Sequence, residues 1–271
     1  QFDMLGVMLD CSRNGVLRPD MVKMLLRRLA LMGLNMCMLY TEDTYEVPEE
    51  PFFGYLRGRY TWEELKDLDA YADALGIEMI PCIQTLGHLA QMLQWPAYAQ
   101  YRDTDDIILA NDDKTYILLE KMIAAAKAPF RSRRIHVGMD EAHGIGTGKY
   151  RAQFGAASPF VIINRHLKRV RSLCHKLGVR PMIWSDMYFR LGSKTNSYYD
   201  RASRIPRKIV AGIPRDVDLV YWDYYHTEVE FYEEWIDRHR ALGSEPIMAG
   251  GVWTWNHFWT SLPFSFATTE S

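Results

Sequence analysis

Seven short apolar runs alternate with helix-length amphipathic stretches along this chain, and polar and aromatic residues gather where the runs end. Those observations predict an α/β fold with an all-parallel sheet covered by helices, because only strands buried on both faces read as continuous apolar runs. A TIM-type (β/α)8 barrel fits the alternation best, incomplete in this chain, since seven strands are identified and the eighth is missing.

The elements follow in order. Gly6 to Asp10 reads as the first strand, and a helix from Pro19 to Met32 follows, with Pro19 suited to its first turn and Gly33 to its end. Met36 to Tyr40 is the second strand. Trp62 to Leu75 is a helix opened by Thr61 and closed by Gly76, and Glu78 to Gln84 is the third strand. A long connection holding His88 and Trp95 leads to a helix at Lys114 to Ala126 and a fourth strand at Arg134 to Asp140. Phe160 to Leu177 is helical, Arg180 to Asp186 the fifth strand and Asp218 to Tyr225 the sixth. Glu228 to Leu242 is a helix, Pro246 to Trp253 the seventh strand, and Ala267 to Ser271 part of a further helix. Arg201 to Arg207 is the expected mobile loop. A doubly wound open sheet is the structural rival, but Asp10 to Gly15 is not the glycine-rich phosphate turn it would carry after its first strand.

With 271 residues, 48% of them hydrophobic, the chain can bury a full core, and residues 1–271 read as one barrel domain. Because Gln1 is not Met and no eighth strand follows, truncation is expected at both ends. A net charge of -2 without any basic block interleaved with aromatics argues against a nucleic-acid partner, and no apolar run approaches membrane-spanning length. Cys11, Cys37, Cys82 and Cys174 lack metal-ligand spacing, so buried thiols and a reducing, cytoplasmic location are expected. Eight Trp in the chain permit a pocket in which flat aromatic faces meet apolar ring hydrogens of a neutral small molecule.

The run His136-Val137-Gly138-Met139-Asp140-Glu141 places two adjacent carboxylates at the end of the fourth strand. In an extended segment His136, Gly138 and Asp140 would share one face, and the turn could swing Glu141 toward the same cavity. Two acids in unlike surroundings can divide proton donation from charge stabilisation, as glycosidic bond cleavage requires. The blander alternative is a helix cap and solvated charge.

Gly6 to Asp10 with Arg13, Tyr40-Thr41-Glu42-Asp43, Thr85-Leu86-Gly87-His88, the His136 to Glu141 run and Tyr221-Trp222-Asp223 together resemble the catalytic domain of glycoside hydrolase family 20, the β-N-acetylhexosaminidases. The usual family form has two glycines before the acids, and Met139 departs from it. The resemblance implies an exo-acting, retaining enzyme in which the substrate's own 2-acetamido oxygen attacks the anomeric carbon, giving an oxazolinium intermediate without a protein nucleophile or cofactor. The partner would be a glycoconjugate or oligosaccharide ending in β-linked GlcNAc or GalNAc. Glu141 would be the general acid and then base, its pKa raised by burial and nearby negative charge, and Asp140 the ionised group that holds the acetamido nitrogen. Arg13 would reach distal hydroxyls, with a salt bridge to Asp10 or Glu42 as its plainer role. His88 and Asp43 would form a pair tuning the acid. Trp184, Tyr221, Asp223 and Trp253 would wall the acetamido pocket, with Tyr225 on the same face as Tyr221 and Asp223 by alternation.

Two alternatives remain. A metal-dependent hydrolase on the same barrel would use His88, His136, Asp140 and His143, but the first strand ends in Asp10 without a His-x-His pair, and His136 is better placed packing beneath the acids; no metal site is expected. The other is a non-catalytic sugar-binding remnant.

Overall fold

The computed structural model describes residues 2–13, 15–253, 255 and 262–270. Strands β1 (Gly6–Asp10), β2 (Met36–Tyr40), β3 (Glu78–Cys82), β4 (Arg134–His136), β5 (Arg180–Trp184), β6 (Asp218–Trp222) and β7 (Ile247–Ala249) form one sheet in chain order, every neighbouring pair parallel. Among the described residues β1 pairs only with β2 and β7 only with β6. The curled sheet is an incomplete (β/α)8 barrel.

The helices are α1 (Pro19–Leu31), α2 (Trp62–Asp73), α3 (Ala90–Leu93), α4 (Asp113–Lys127), α5 (Lys149–Phe154), α6 (Pro159–Lys176), α7 (Asp186–Gly192), α8 (Arg207–Val210), α9 (Val229–Arg240) and α10 (Leu262–Glu270). Pro19 starts α1, whose Val22, Leu26 and Leu29 repeat at helical spacing and are buried. Thr61 caps α2 in a reciprocal box with Glu64, each side chain accepting from the other's backbone N–H. Ser271 of the expected terminal helix lies outside the described residues.

Period-two alternation divides the core into two layers. Met38, Tyr40, Ile80, Cys82, Met182, Trp184, Val220 and Trp222 fill the barrel interior. Their neighbours Cys37, Leu39, Met79, Ile183 and Leu219 point the other way, against the helices. Outside β6, Phe231, Tyr232 and Trp235 of α9 pack with Tyr221. All four cysteines are free and buried. No described helix is long and apolar enough to cross a membrane.

Several strands end earlier than the apolar pattern suggests. The expected strand to Asp140 stops at His136, because Gly138 (φ 70°) and Met139 (φ 80°) leave the extended region. β3 stops at Cys82, β5 at Trp184 and β6 at Trp222, and Asp186 opens α7 instead of closing a strand. The long third connection contains α3 and a 3-10 helix at Pro96–Tyr101. These shortened ends free side chains at the strand tips from the ladder, and there the site is built.

Trp235 is 1% exposed and stacks on Phe231 at 4.9 Å, whereas Trp62 is 40% exposed. Trp235→Ala should therefore cost about 3–5 kcal/mol in urea unfolding and Trp62→Ala less than about 1 kcal/mol. Equal costs would contradict the packing of α9 on β6.

Candidate active site

The loops after β3 and β4 are fastened edge to edge. The Ile83 N–H donates to the His136 carbonyl at 2.9 Å, and the Thr85 hydroxyl donates to the Val137 carbonyl at 2.8 Å. Gly87 passes so close that a Cβ there would sit 2.6 Å from the Asp140 carbonyl oxygen. Gly138 is constrained in the same way, since a Cβ would lie 1.9 Å from the Gln84 Oε1.

Gln84 uses that space. Its Oε1 accepts from the Met139 N–H at 3.1 Å, and its Nε2 donates to Asp140 Oδ1 and to the Tyr40 hydroxyl, both at 2.7 Å. The Tyr40 hydroxyl then donates to Glu42 Oε1 at 3.1 Å. From the other side His88 Nε2 lies 3.1 Å from Asp140 Oδ2 and 3.3 Å from Glu141 Oε2. One imidazole thus bridges the two consecutive carboxylates. Asp140 is buried, while the Glu141 side chain is 37% exposed and open to a ligand.

Charge follows from this geometry. Burial alone would lower the His88 pKa, but the close carboxylates of Asp140, Glu141 and Glu42 push it up to about 11. Burial pushes Asp140 up, and His88 and Gln84 outweigh it, leaving the carboxyl below its ordinary value. The contact with His88 is the largest influence on Glu141 and also takes it below the ordinary value. The expectation of a raised Glu141 pKa is thereby corrected: a charged imidazole at 3.3 Å overrides burial and the neighbouring carboxylate.

Arg13 sits at the rim, its guanidinium 2.8 Å from Asp10, 3.7 Å from Glu42 and 3.4 Å from His88 Nδ1. Glu42 lies 3.9 Å from the same His88 nitrogen, so its carboxylate faces both cations. The expected pairing of His88 with Asp43 is not formed. Asp43 is buried with neither oxygen hydrogen-bonded and Arg57 at 3.7 Å, and Glu42, which shares the interior face of Met38 and Tyr40 by alternation, faces His88 in its place.

Trp184 belongs to the barrel interior and packs on the His136 ring at 4.5 Å. His136 is fully buried beneath the acids, and desolvation lowers its pKa to about 4. Among the described residues no group of three or more His, Cys, Asp or Glu side chains is arranged to hold a metal ion. His143, which the metal alternative needed, contacts the Tyr198 hydroxyl.

The β6 assignment is one residue out of phase. Tyr221 packs on the α9 side, and its hydroxyl donates to Asp223 at 2.8 Å. Asp223 is fully buried and also accepts from the Tyr225 N–H at 2.9 Å and meets His226 Nδ1 at 2.8 Å. Neither therefore walls an interior pocket. The interior face carries Trp222, with Tyr224 stacked on it at 5.3 Å. Burial, and with it the charges of Asp140, Glu141 and Asp186, raise the Tyr224 hydroxyl well above its ordinary value. Tyr225 is 45% exposed and meets Trp253 edge-on at 5.0 Å. The Trp253 indole donates to the Tyr224 carbonyl at 3.0 Å, completing an aromatic rim.

Gln84, Tyr40, Glu42, Tyr198, Trp222 and Tyr224 were not among the expected site residues. Alternation from Ile80 and Cys82 would have found Gln84, and from Met38 would have found Tyr40. Tyr198, whose hydroxyl donates to Glu141 at 3.3 Å, comes from a loop with no sequence signal.

The chain is thus a parallel α/β barrel with a histidine-bridged Asp-Glu pair at its strand ends. The family model described as "Glycosyl hydrolase family 20, catalytic domain" matches residues 2–202, and the chain belongs to this family. "Hexosaminidase D" of Homo sapiens is 24% identical over 204 residues, covering 71% of this chain and 39% of the relative. "Hexosaminidase D" of Bos taurus is 24% identical over 206 residues, covering 71% of this chain and 55% of the relative. The chain thus spans roughly half or less of the length of these relatives. The β-N-acetylhexosaminidase structure from Bacteroides fragilis superposes with a TM-score of 0.67 at 21% identity, over 91% of this chain and 49% of that one. The exo β-N-acetylglucosaminidase of Vibrio harveyi, in complex with N-acetylglucosamine, gives 0.66 at 20% identity over 89% of this chain and 40% of that one.

Folded, His88 keeps its proton to about pH 11, whereas an unfolded imidazole releases it near pH 6.5. Its ion pairs therefore stabilise the fold fully below about pH 6.5, and that stabilisation is lost as pH rises through about 11. The difference in unfolding free energy between this chain and H88Q should be greatest near about pH 6 and shrink steadily in alkali. A difference flat with pH would mean that the folded imidazole titrates as the unfolded one does.

Proposed function

We propose that this chain is the catalytic barrel of an exo-acting, retaining β-N-acetylhexosaminidase that removes terminal β-linked GlcNAc or GalNAc from a glycoconjugate or oligosaccharide. The bridging of Asp140 and Glu141 by His88 carries this reading, because it gives two adjacent carboxyls unlike freedom and access. Asp140, fixed by Gln84 and His88, is ionised and preset to accept the substrate's amide N–H. The amide oxygen then attacks the anomeric carbon while Glu141 gives its proton to the leaving oxygen. Positive charge builds on the oxazolinium ring and is offset by Asp140. Water then attacks the anomeric carbon, breaking its bond to the amide oxygen and giving a proton to Glu141, so configuration is retained.

Family membership supports the reaction class, and the related proteins named hexosaminidase support the sugar. Trp184, Trp222 and Tyr224 offer apolar faces to the acetamido methyl, and Arg13 offers a planar donor to distal hydroxyls. The epimers differ in one hydroxyl, and both are accepted in this reading. Since His88 favours ionised Glu141, the protonated acid is scarce at neutral pH and activity is greatest in acid.

4-Nitrophenyl β-N-acetylglucosaminide and its galactosamine epimer should be cleaved, and the corresponding β-glucoside, which lacks the amide, should not. Glu141→Gln and Asp140→Asn should each lower kcat/KM by about 10²–10⁴. Binding of N-acetylglucosamine without any turnover would favour the sugar-binding alternative instead. Azide rescue of an Asp140 or Glu141 variant through a protein-bound intermediate would contradict the self-attacking substrate. Replacing His88 with Gln should move the basic limb of the pH profile upward, because Glu141 loses the cation that favours its ionised form. An unmoved limb would remove His88 from control of the acid.

A further inference from the structure

Asp186 is the acid at the site that the proposed chemistry does not use. It opens α7 two residues after Trp184 and is buried. Its Oδ2 accepts the backbone N–H of Glu141 at 3.0 Å, a link from the β5 end to the loop after β4. Its Oδ1 is buried without a hydrogen-bond partner. Glu141 itself holds a left-handed backbone conformation at φ 46°, which a residue with a side chain keeps only when its surroundings impose it.

We propose, resting on the hexosaminidase reading above, that Asp186 is a positioning residue: its carboxyl clamps the Glu141 amide and so fixes the aim of the proton donor. The groups that face it are Asp140 and Glu141 from the loop after β4, Trp222 and Tyr224 from β6 and its loop, and Tyr198 from the loop after α7. None of them is a cation. Burial first, then the charges of Asp140 and Glu141, raise the Asp186 carboxyl well above its ordinary value, with the hydrogen bond from the Glu141 N–H opposing. Accepting from the Glu141 N–H needs an acceptor oxygen and no charge, so a carboxyl pushed toward its neutral form still holds the clamp. Asn presents the same neutral acceptor. Ala presents none.

The test compares D186A and D186N in the full chain by steady-state kinetics on the chromogenic N-acetylglucosaminide and by amide hydrogen exchange over residues 139–143. D186A should lower kcat by about tenfold or more with KM changed less than about threefold, and exchange in the segment should rise. D186N should recover kcat to within about threefold of the parent chain and restore protection. D186A retaining parental kcat, or D186N as impaired as D186A despite a protected segment, would overturn the proposal. If D186A does not fold, the D186N result decides alone. If the parent chain hydrolyses no N-acetylhexosaminide, the functional reading fails, and exchange still reports whether the clamp exists.

Discussion

The site depends on one charged imidazole held between two consecutive carboxylates. His88 reaches Asp140 and Glu141 only because the third and fourth loops lie edge to edge, and those loops approach only because Gly87 and Gly138 carry no side chain. Two adjacent acids without a cation would repel, and burying either would push it toward neutrality. With the cation between them, Asp140 stays ionised inside the barrel mouth while Glu141 keeps access to solvent. Gln84 completes the arrangement by holding Asp140 and the backbone before it with opposite ends of one amide.

The same residues show how backbone conformation substitutes for strand pairing. β4 contributes only Arg134 to His136 to the sheet, and the acids follow in a turn with three left-handed residues, Gly138, Met139 and Glu141. An extended strand would send Asp140 and Glu141 to opposite faces. The turn brings both to His88, at a local strain that the surrounding hydrogen bonds oppose.

Much of this was legible in the sequence. The parallel sheet, its seven strands and the major helices followed from apolar runs separated by amphipathic stretches, because that pattern depends only on which faces are buried. Asp140, Glu141, His88 and Arg13 were legible as strand-end residues and come together. Tyr221 and Asp223 were misplaced because a period-two pattern fixes alternation but not phase: Val220 and Trp222 took the interior, and every neighbour turned outward. Asp43 was misplaced because the period-two pattern that puts Met38 and Tyr40 inside gives that face to Glu42 and not to its neighbour. Tyr198 was invisible since a loop's path is set by what it packs on, not by its own pattern.

Met139 has a consequence for the motion of the acid-bearing loop. Its side chain is 1% exposed among the outer-layer residues although its backbone sits at φ 80°, where glycine is the conformationally easy choice. A glycine there would act as a swivel. The thioether instead is buried in the apolar layer outside the sheet, so any swing of the turn must first bring it out to water. Rigidity of the proton donor's platform is therefore purchased by an apolar anchor on the face opposite the ligand.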